Sequence, residues 1–185
     1  MRMHLALLAT LSLLIAPQPV AAVPDVSPQD KSPAKGAAAK SAEKLEWLTF
    51  DAAAARAKEQ KKHVIVDIYT TWCGWCRIMD KETYGNSEVA AYLRENFVLA
   101  KVNGESSAKL WWRGKALTER QFARAVGVTG YPATYFFKPD TELLGGVGGF
   151  LKPPEFLVYA RYVSTRWYEK GKIGAYVDSI KAAAN

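Results

Sequence analysis

Cysteine is nearly absent from this sequence. Its 185 residues contain two, Cys73 and Cys76, which excludes a scaffold held by several disulfides and a zinc site built from four thiolates. Histidine is equally scarce. His4 and His63 are the only two, so a tetrahedral metal site would have to recruit carboxylates to close. Arg77, not histidine, follows the second cysteine, which excludes covalent haem attachment at C-x-x-C-H. No metal or other cofactor is expected. Long apolar runs are missing too: Leu5 to Ala16 is well short of the roughly 20 residues that span a bilayer. Acidic residues number 18 against 25 lysines and arginines, a net charge of +7. Such a surface favours acidic partners or an anionic membrane face, or serves solubility. No recognisable nucleic-acid-binding motif accompanies it, and no nucleic-acid partner is expected.

The N-terminal residues read as an export signal. Arg2 supplies the positive start, Leu5 to Ala16 the apolar centre, Pro17-Gln18-Pro19 a helix break, and Val20-Ala21-Ala22 small residues for cleavage after Ala22. A retained membrane anchor is the alternative. Cleavage removes one basic and no acidic residue, leaving about +6. Residues 23–44 are rich in Ala, Pro, Lys, Ser and Gly, and bury too little apolar surface to offset the entropy of ordering them, so a flexible linker is expected. A single domain over residues 45–168 follows, with a C-terminal extension over 169–185.

Within the domain, Leu45 to Phe50 reads as an edge strand, and Asp51 as the cap of a helix over 52–59. His63 stands at the boundary before an apolar, β-branched strand, Val64-Ile65-Val66-Asp67-Ile68-Tyr69, and is expected to be solvated. Good helix formers continue from Arg77 to about Glu82, and Asn86-Ser87 can cap a second helix through Leu93. Phe97 to Val102 is a further strand. Residues 103–116 show no clean periodicity. A helix over Leu117–Val126 has Thr118 as its cap and Gly127 as its stop. Thr134 to Phe137 and the glycine-rich Leu143 to Phe150 read as strands. Pro153-Pro154 opens a helix with Phe156, Leu157, Ala160 and Val163 on one face. Strands alternating with helices, then a hairpin and a last helix, indicate an α/β sandwich.

Cys73-Gly74-Trp75-Cys76 therefore lies between a buried strand and a helix. A thiolate at the positive end of a helix dipole is stabilised, which favours thiol–disulfide exchange. A structural staple is the alternative, although one closing a two-residue gap adds little stability.

In this context Trp72-Cys73-Gly74-Trp75-Cys76 resembles the active-site motif of the thioredoxin superfamily. Asp67, six residues before Cys73, falls where that family carries a buried acid. Ala100-Lys101-Val102-Asn103 is similar to the strand whose lysine approaches that acid, and Gly130-Tyr131-Pro132-Ala133-Thr134 resembles its cis-proline segment. The resemblance covers about residues 45–168. The long interval between Cys76 and Pro132 is similar to the exported branch that includes the C-terminal domain of the membrane reductant conductor DsbD. Trp75 stands where thioredoxins usually carry proline. The implied fold is a mixed β-sheet flanked by helices, with a short insertion before the cis-proline segment, around residues 104–116, and a C-terminal helical extension.

The resemblance also implies roles. Cys73 is the exposed nucleophile and Cys76 the resolving thiol. Asp67 relays a proton to or from Cys76, and Lys101 neutralises and tunes Asp67. Trp72, Trp75, Tyr131 and Pro132 contact the substrate. The Trp111-Trp112 pair reads either as a partner-binding ridge or as a partly buried plug. Tyr159, Tyr162, Trp167 and Tyr168 read as helix packing.

Three functions compete. The first is an exported reductase of protein disulfides, periplasmic if the source is a Gram-negative bacterium, supplied with electrons by an exported or membrane-embedded dithiol protein. The second is an oxidant or isomerase using the same couple. The third is a client-binding module that keeps the fold without the chemistry.

Overall fold

In a computed structural model, residues 44–184 are described. The expected signal and most of the expected linker lie outside them. The secondary structure is β1 (His63–Tyr69), β2 (Phe97–Asn103), β3 (Lys109–Trp112), β4 (Lys115–Thr118), β5 (Ala133–Phe137) and β6 (Leu143–Gly148), with helices α1 (Phe50–Gln60), α2 (Gly74–Met79), α3 (Ser87–Asn96), α4 (Glu119–Val126), α5 (Pro153–Ser164) and α6 (Ile173–Ala183). The main sheet runs β2-β1-β5-β6. The β1–β2 pair is parallel, and the β1–β5 and β5–β6 pairs are antiparallel.

The period of two along each strand sorts side chains to opposite faces of this sheet. Val64, Val66 and Ile68 pack with Phe50, Ala53, Ala57 and Phe122, so α1 and α4 cover one face. Ile65, Leu99 and Phe136 pack with Met79, Val89, Leu93, Phe156 and Leu157, which puts α2, α3 and α5 over the other. Asp67 shares the parity of Ile65. It is a charged residue on an otherwise apolar face, in register with Lys101 on β2 and Thr134 on β5. A polar row therefore crosses three strands of this face.

Several local expectations need correction. Leu45 to Phe50 is not a strand: Leu48 alone bridges to Ala100, and Phe50 already begins α1. The cap of α1 is Thr49, whose hydroxyl accepts from the Ala52 N–H, while the Asp51 carboxylate accepts instead from the Trp111 N–H at 2.8 Å. Residues 109–118 form a β-hairpin, β3–β4, with the turn at Arg113 and Gly114 in the left-handed region. Trp112 is buried against Phe122 and Phe137, and Trp111 is exposed. One ring is thus a plug and the other a surface residue, since alternate strand positions face opposite ways.

His63 is buried rather than solvated. Its Nε2 lies 2.9 Å from the Tyr168 hydroxyl, where the turn after α5 folds back over the start of β1. Burial, with Arg166 nearby, lowers its pKa. The caps of α3 at Asn86 and of α4 at Thr118 are as expected, and Gly127 ends α4 with a left-handed φ of 95°.

Candidate active site

Cys73 is the N-cap of α2, and Cys76 sits one turn along it. Their sulfurs form a disulfide of 2.04 Å. Cys73 Sγ also accepts the Cys76 N–H at 3.0 Å, and the Cys73 N–H donates to the Thr70 carbonyl at 3.2 Å. Expected exposure of Cys73 is not met in this oxidised form. Cys73 is 3% and Cys76 5% exposed, because the covalent bond and the capping contact draw the first sulfur onto the helix end. What stands outside is aromatic. Trp72 is 63% and Trp75 59% exposed. The Trp72 ring meets Tyr131 edge-on at 6.1 Å and its Nε1 donates to Glu105 at 2.9 Å, while Trp75 lies 5.7 Å from Phe150.

The Tyr131–Pro132 peptide bond is cis. The Pro132 carbonyl accepts the Gly149 N–H at 2.8 Å, whereas the Tyr131 N–H and carbonyl enter no hydrogen bond among the described residues. The Tyr131 ring lies across Gly104, so closely that a Cβ there would come within 2.4 Å of the phenolic oxygen. A larger residue at 104 would have to displace the Tyr131 ring, so the constraint there comes from that approach and not from the backbone angle.

Beneath the disulfide helix, α2 continues into a π-helical turn over Asp80–Tyr84. Single π-turns inside helices are uncommon and recur at functional sites. Tyr84 is buried and donates to Asp67 Oδ1 at 3.3 Å, with the Thr134 hydroxyl at 3.4 Å from the same phenol. From the other side Lys101 Nζ lies 3.2 Å from Asp67 Oδ2 and 2.5 Å from Asp80 Oδ1. A cleft of about 480 Å³ lined by Leu45, Trp47, Asp80, Tyr84 and Lys101 brings solvent to this ion triad.

Burial dominates the electrostatics. Asp67 is 2% exposed, and loss of hydration raises its pKa to about 6 against the pull of Lys101. Burial works to lower the Lys101 pKa, but Asp67 and Asp80 outweigh it and the net shift is upward. Burial, with Asp67 alongside, holds the Tyr84 phenol well above its ordinary value. The structure thus joins Asp67 to Lys101 and, through the Trp72–Tyr131 contact, the cysteine motif to the cis-proline segment. Three members were missed from sequence: Asp80, Tyr84 and Thr134. Thr134 was accessible from strand parity, since it is the cross-strand partner of Asp67. Asp80 and Tyr84 depend on the π-turn, which has no sequence signal in this stretch.

The family model of the thioredoxin-like domain matches residues 50–164, more than half of the chain. The chain belongs to the thioredoxin-like domain family. This thioredoxin-like domain superposes on the solution structure of a thioredoxin from Thermus thermophilus with a TM-score of 0.54 and 26% identity, covering 65% of this chain and 88% of that one. It superposes on DsbH oxidoreductase with a TM-score of 0.53 and 18% identity, covering 66% and 86%, a likeness of fold. An uncharacterised Caenorhabditis elegans protein is 26% identical over 136 residues, 69% of this chain and 18% of its own length. The chain therefore spans less than a fifth of that relative.

Proposed function

We propose that this protein is an exported thiol–disulfide oxidoreductase that reduces protein disulfides through the Cys73–Cys76 couple. The observation that carries the reading is the disulfide at the head of α2, flanked by the exposed Trp72 and Trp75 rings, with the buried acid Asp67 on the strand that leads into the motif. Export rests on the pattern of residues 1–22, which also implies an exported or membrane-embedded dithiol as electron source, since cytosolic reductants are absent outside the cell.

The reaction begins from the reduced pair. Cys73 thiolate attacks one sulfur of a client disulfide, forming the mixed disulfide and releasing the first client thiolate, which takes a proton from solvent. Cys76 thiol then loses its proton to the Asp67 carboxylate, and its sulfur attacks Cys73 Sγ. The mixed disulfide breaks and the second client thiolate leaves, while Cys73–Cys76 closes to the disulfide seen here. Two electrons pass from the dithiol to the client. The Asp67 proton then passes to water from the cleft beside Lys101 and Asp80, and the Lys101 ammonium pairs again with the restored carboxylate. The client chain lies in extended form against the free Tyr131 backbone groups at Pro132 and against the Trp72 and Trp75 rings.

The test is the reduction potential of Cys73–Cys76 by equilibration with glutathione, together with trapping in Cys76→Ser. A potential near thioredoxin's, about −270 mV, and a client mixed disulfide on Cys73 support a reductase. A value near about −120 mV makes the chain an oxidant. Full activity of Cys73→Ser sinks the redox reading in favour of a client-binding module.

A further inference from the structure

Beside the cis-proline segment lies a second cleft, of about 350 Å³, lined by Glu105, Arg120, Arg124, Thr129, Gly130 and Tyr131. Arg120 and Arg124 are one helical turn apart on α4 and share a face. Like charges at that spacing repel, and no carboxylate among the described residues pairs with either. Arg120 donates one Nη2 hydrogen bond to the Glu105 carbonyl at 2.6 Å, which fixes its stem across the cleft. The Glu105 carboxylate, the one acid lining the cleft, is held by the Trp72 indole instead. The surrounding segment is basic as well: residues 104–126 hold Lys109, Arg113, Lys115, Arg120 and Arg124 against Glu105 and Glu119.

We infer that this cleft is a specificity site that takes an acidic side chain of a polypeptide client close to the disulfide being reduced. The inference rests on the reductase reading above and adds the substrate class. Tyr131 belongs both to the cleft and to the surface over the cysteines, through its contact with Trp72. An extended client paired with the Tyr131 backbone rises about 3.3 Å per residue, so side chains two positions apart lie about 7 Å apart on the same side. An aspartate or glutamate two residues from the client cysteine is thereby carried towards the guanidinium pair, whose planar forks match a carboxylate. The free Tyr131 backbone groups and the two exposed tryptophans form a surface suited to a chain rather than to a small anion.

The test uses the full reduced chain and three peptides with one internal disulfide, identical except for Glu, Gln or Lys two residues before the first cysteine. Oxidation is followed by tryptophan fluorescence in stopped flow. The Glu peptide is expected to react faster than the Gln peptide by about fivefold to tenfold, the effect of two exposed ion pairs, with the Lys peptide slowest. In about 1 M salt, where screening extends about 3 Å, the spread closes. In Arg120→Gln/Arg124→Gln the Glu-to-Gln ratio falls to near one. Arg124→Gln alone, which keeps the Arg120–Glu105 bond, reduces the ratio in part. Lys170→Gln/Lys181→Gln removes the same charge near the C-terminus and keeps the ratio. Equal rates for the three peptides overturn the inference, as does loss of preference in the lysine variant, which assigns the effect to overall charge. Faster reaction of glutathione disulfide than of all three peptides, abolished in the double arginine variant, overturns it in favour of a small-anion site. Failure to react with any disulfide overturns the reductase reading itself.

Discussion

Lys101 sets its ammonium 3.2 Å from the buried carboxylate of Asp67 while also bonding Asp80 at the protein surface. One lysine thus ties a buried acid on β1 to an acid in contact with water. Because Asp80 competes for the lysine, Asp67 is stabilised less than a private ion pair would stabilise it, and burial prevails.

The raised pKa of Asp67 has a direct cost. An acid whose folded pKa lies above its unfolded value favours folding below the unfolded value and loses that contribution as pH rises through the folded one. For Asp67 the window runs from about 3.8 to about 6. With one pKa unit worth about 1.4 kcal/mol, Asp67→Asn is expected to be more stable than the parent at pH 7 by on the order of 3 kcal/mol. The gain disappears near pH 4, as urea unfolding of the oxidised protein across pH 4–8 will show. Equal stability at all pH values would contradict the assigned burial cost.

The same variant separates stability from chemistry. With no carboxylate to take the Cys76 proton, resolution of the mixed disulfide is expected to slow by about 100-fold, the usual scale of a positioned base. Quenched-flow with acid trapping should show the mixed disulfide accumulating. In the parent, the resolving rate rises with pH about a midpoint near 6 as Asp67 ionises.

Asp80→Asn moves that midpoint. Removing the surface carboxylate takes away a nearby negative charge and leaves Lys101 to Asp67 alone, so the Asp67 pKa falls. The pH profile of the resolving step is expected to shift to lower pH with its plateau preserved. A shift to higher pH would show that Asp80 does not act through Lys101.

Trp75→Ala should change stability little, since the ring is 59% exposed. Exposed aromatic residues at the centre of a contact surface commonly carry 2 kcal/mol or more of binding, so kcat/KM on a protein disulfide is expected to fall by about 30-fold. Insulin reduction measured against unfolding midpoints distinguishes the two effects. A fall in stability matching the fall in activity would make Trp75 a packing residue.

His63 behaves oppositely to Asp67. Its depressed pKa gives stability that is present above its unfolded value of 6.5 and lost as pH falls through the folded one. Tyr168→Phe leaves His63 Nε2 buried without its partner and should cost about 1 kcal/mol at pH 7. Thermal unfolding of the two proteins at pH 7 and pH 5 measures both effects.

The alternation of strands and helices along the chain, the caps Asn86 and Thr118, and the cysteine pair between strand and helix were legible from sequence. Each depends on near neighbours: a period of two or 3.6, a side chain reaching three residues ahead, a glycine past a helix end. The pairing of Asp67 with Lys101 was expected from family resemblance, and parity made Thr134 readable too. Packing decided the rest. The contact of Tyr84 with Asp67, the burial of His63 under a residue 105 positions away, and the packing of Trp112 against Phe122 and Phe137 join distant segments. Local pattern is blind to them, because whether a boundary histidine meets water depends on what the folded chain lays over it.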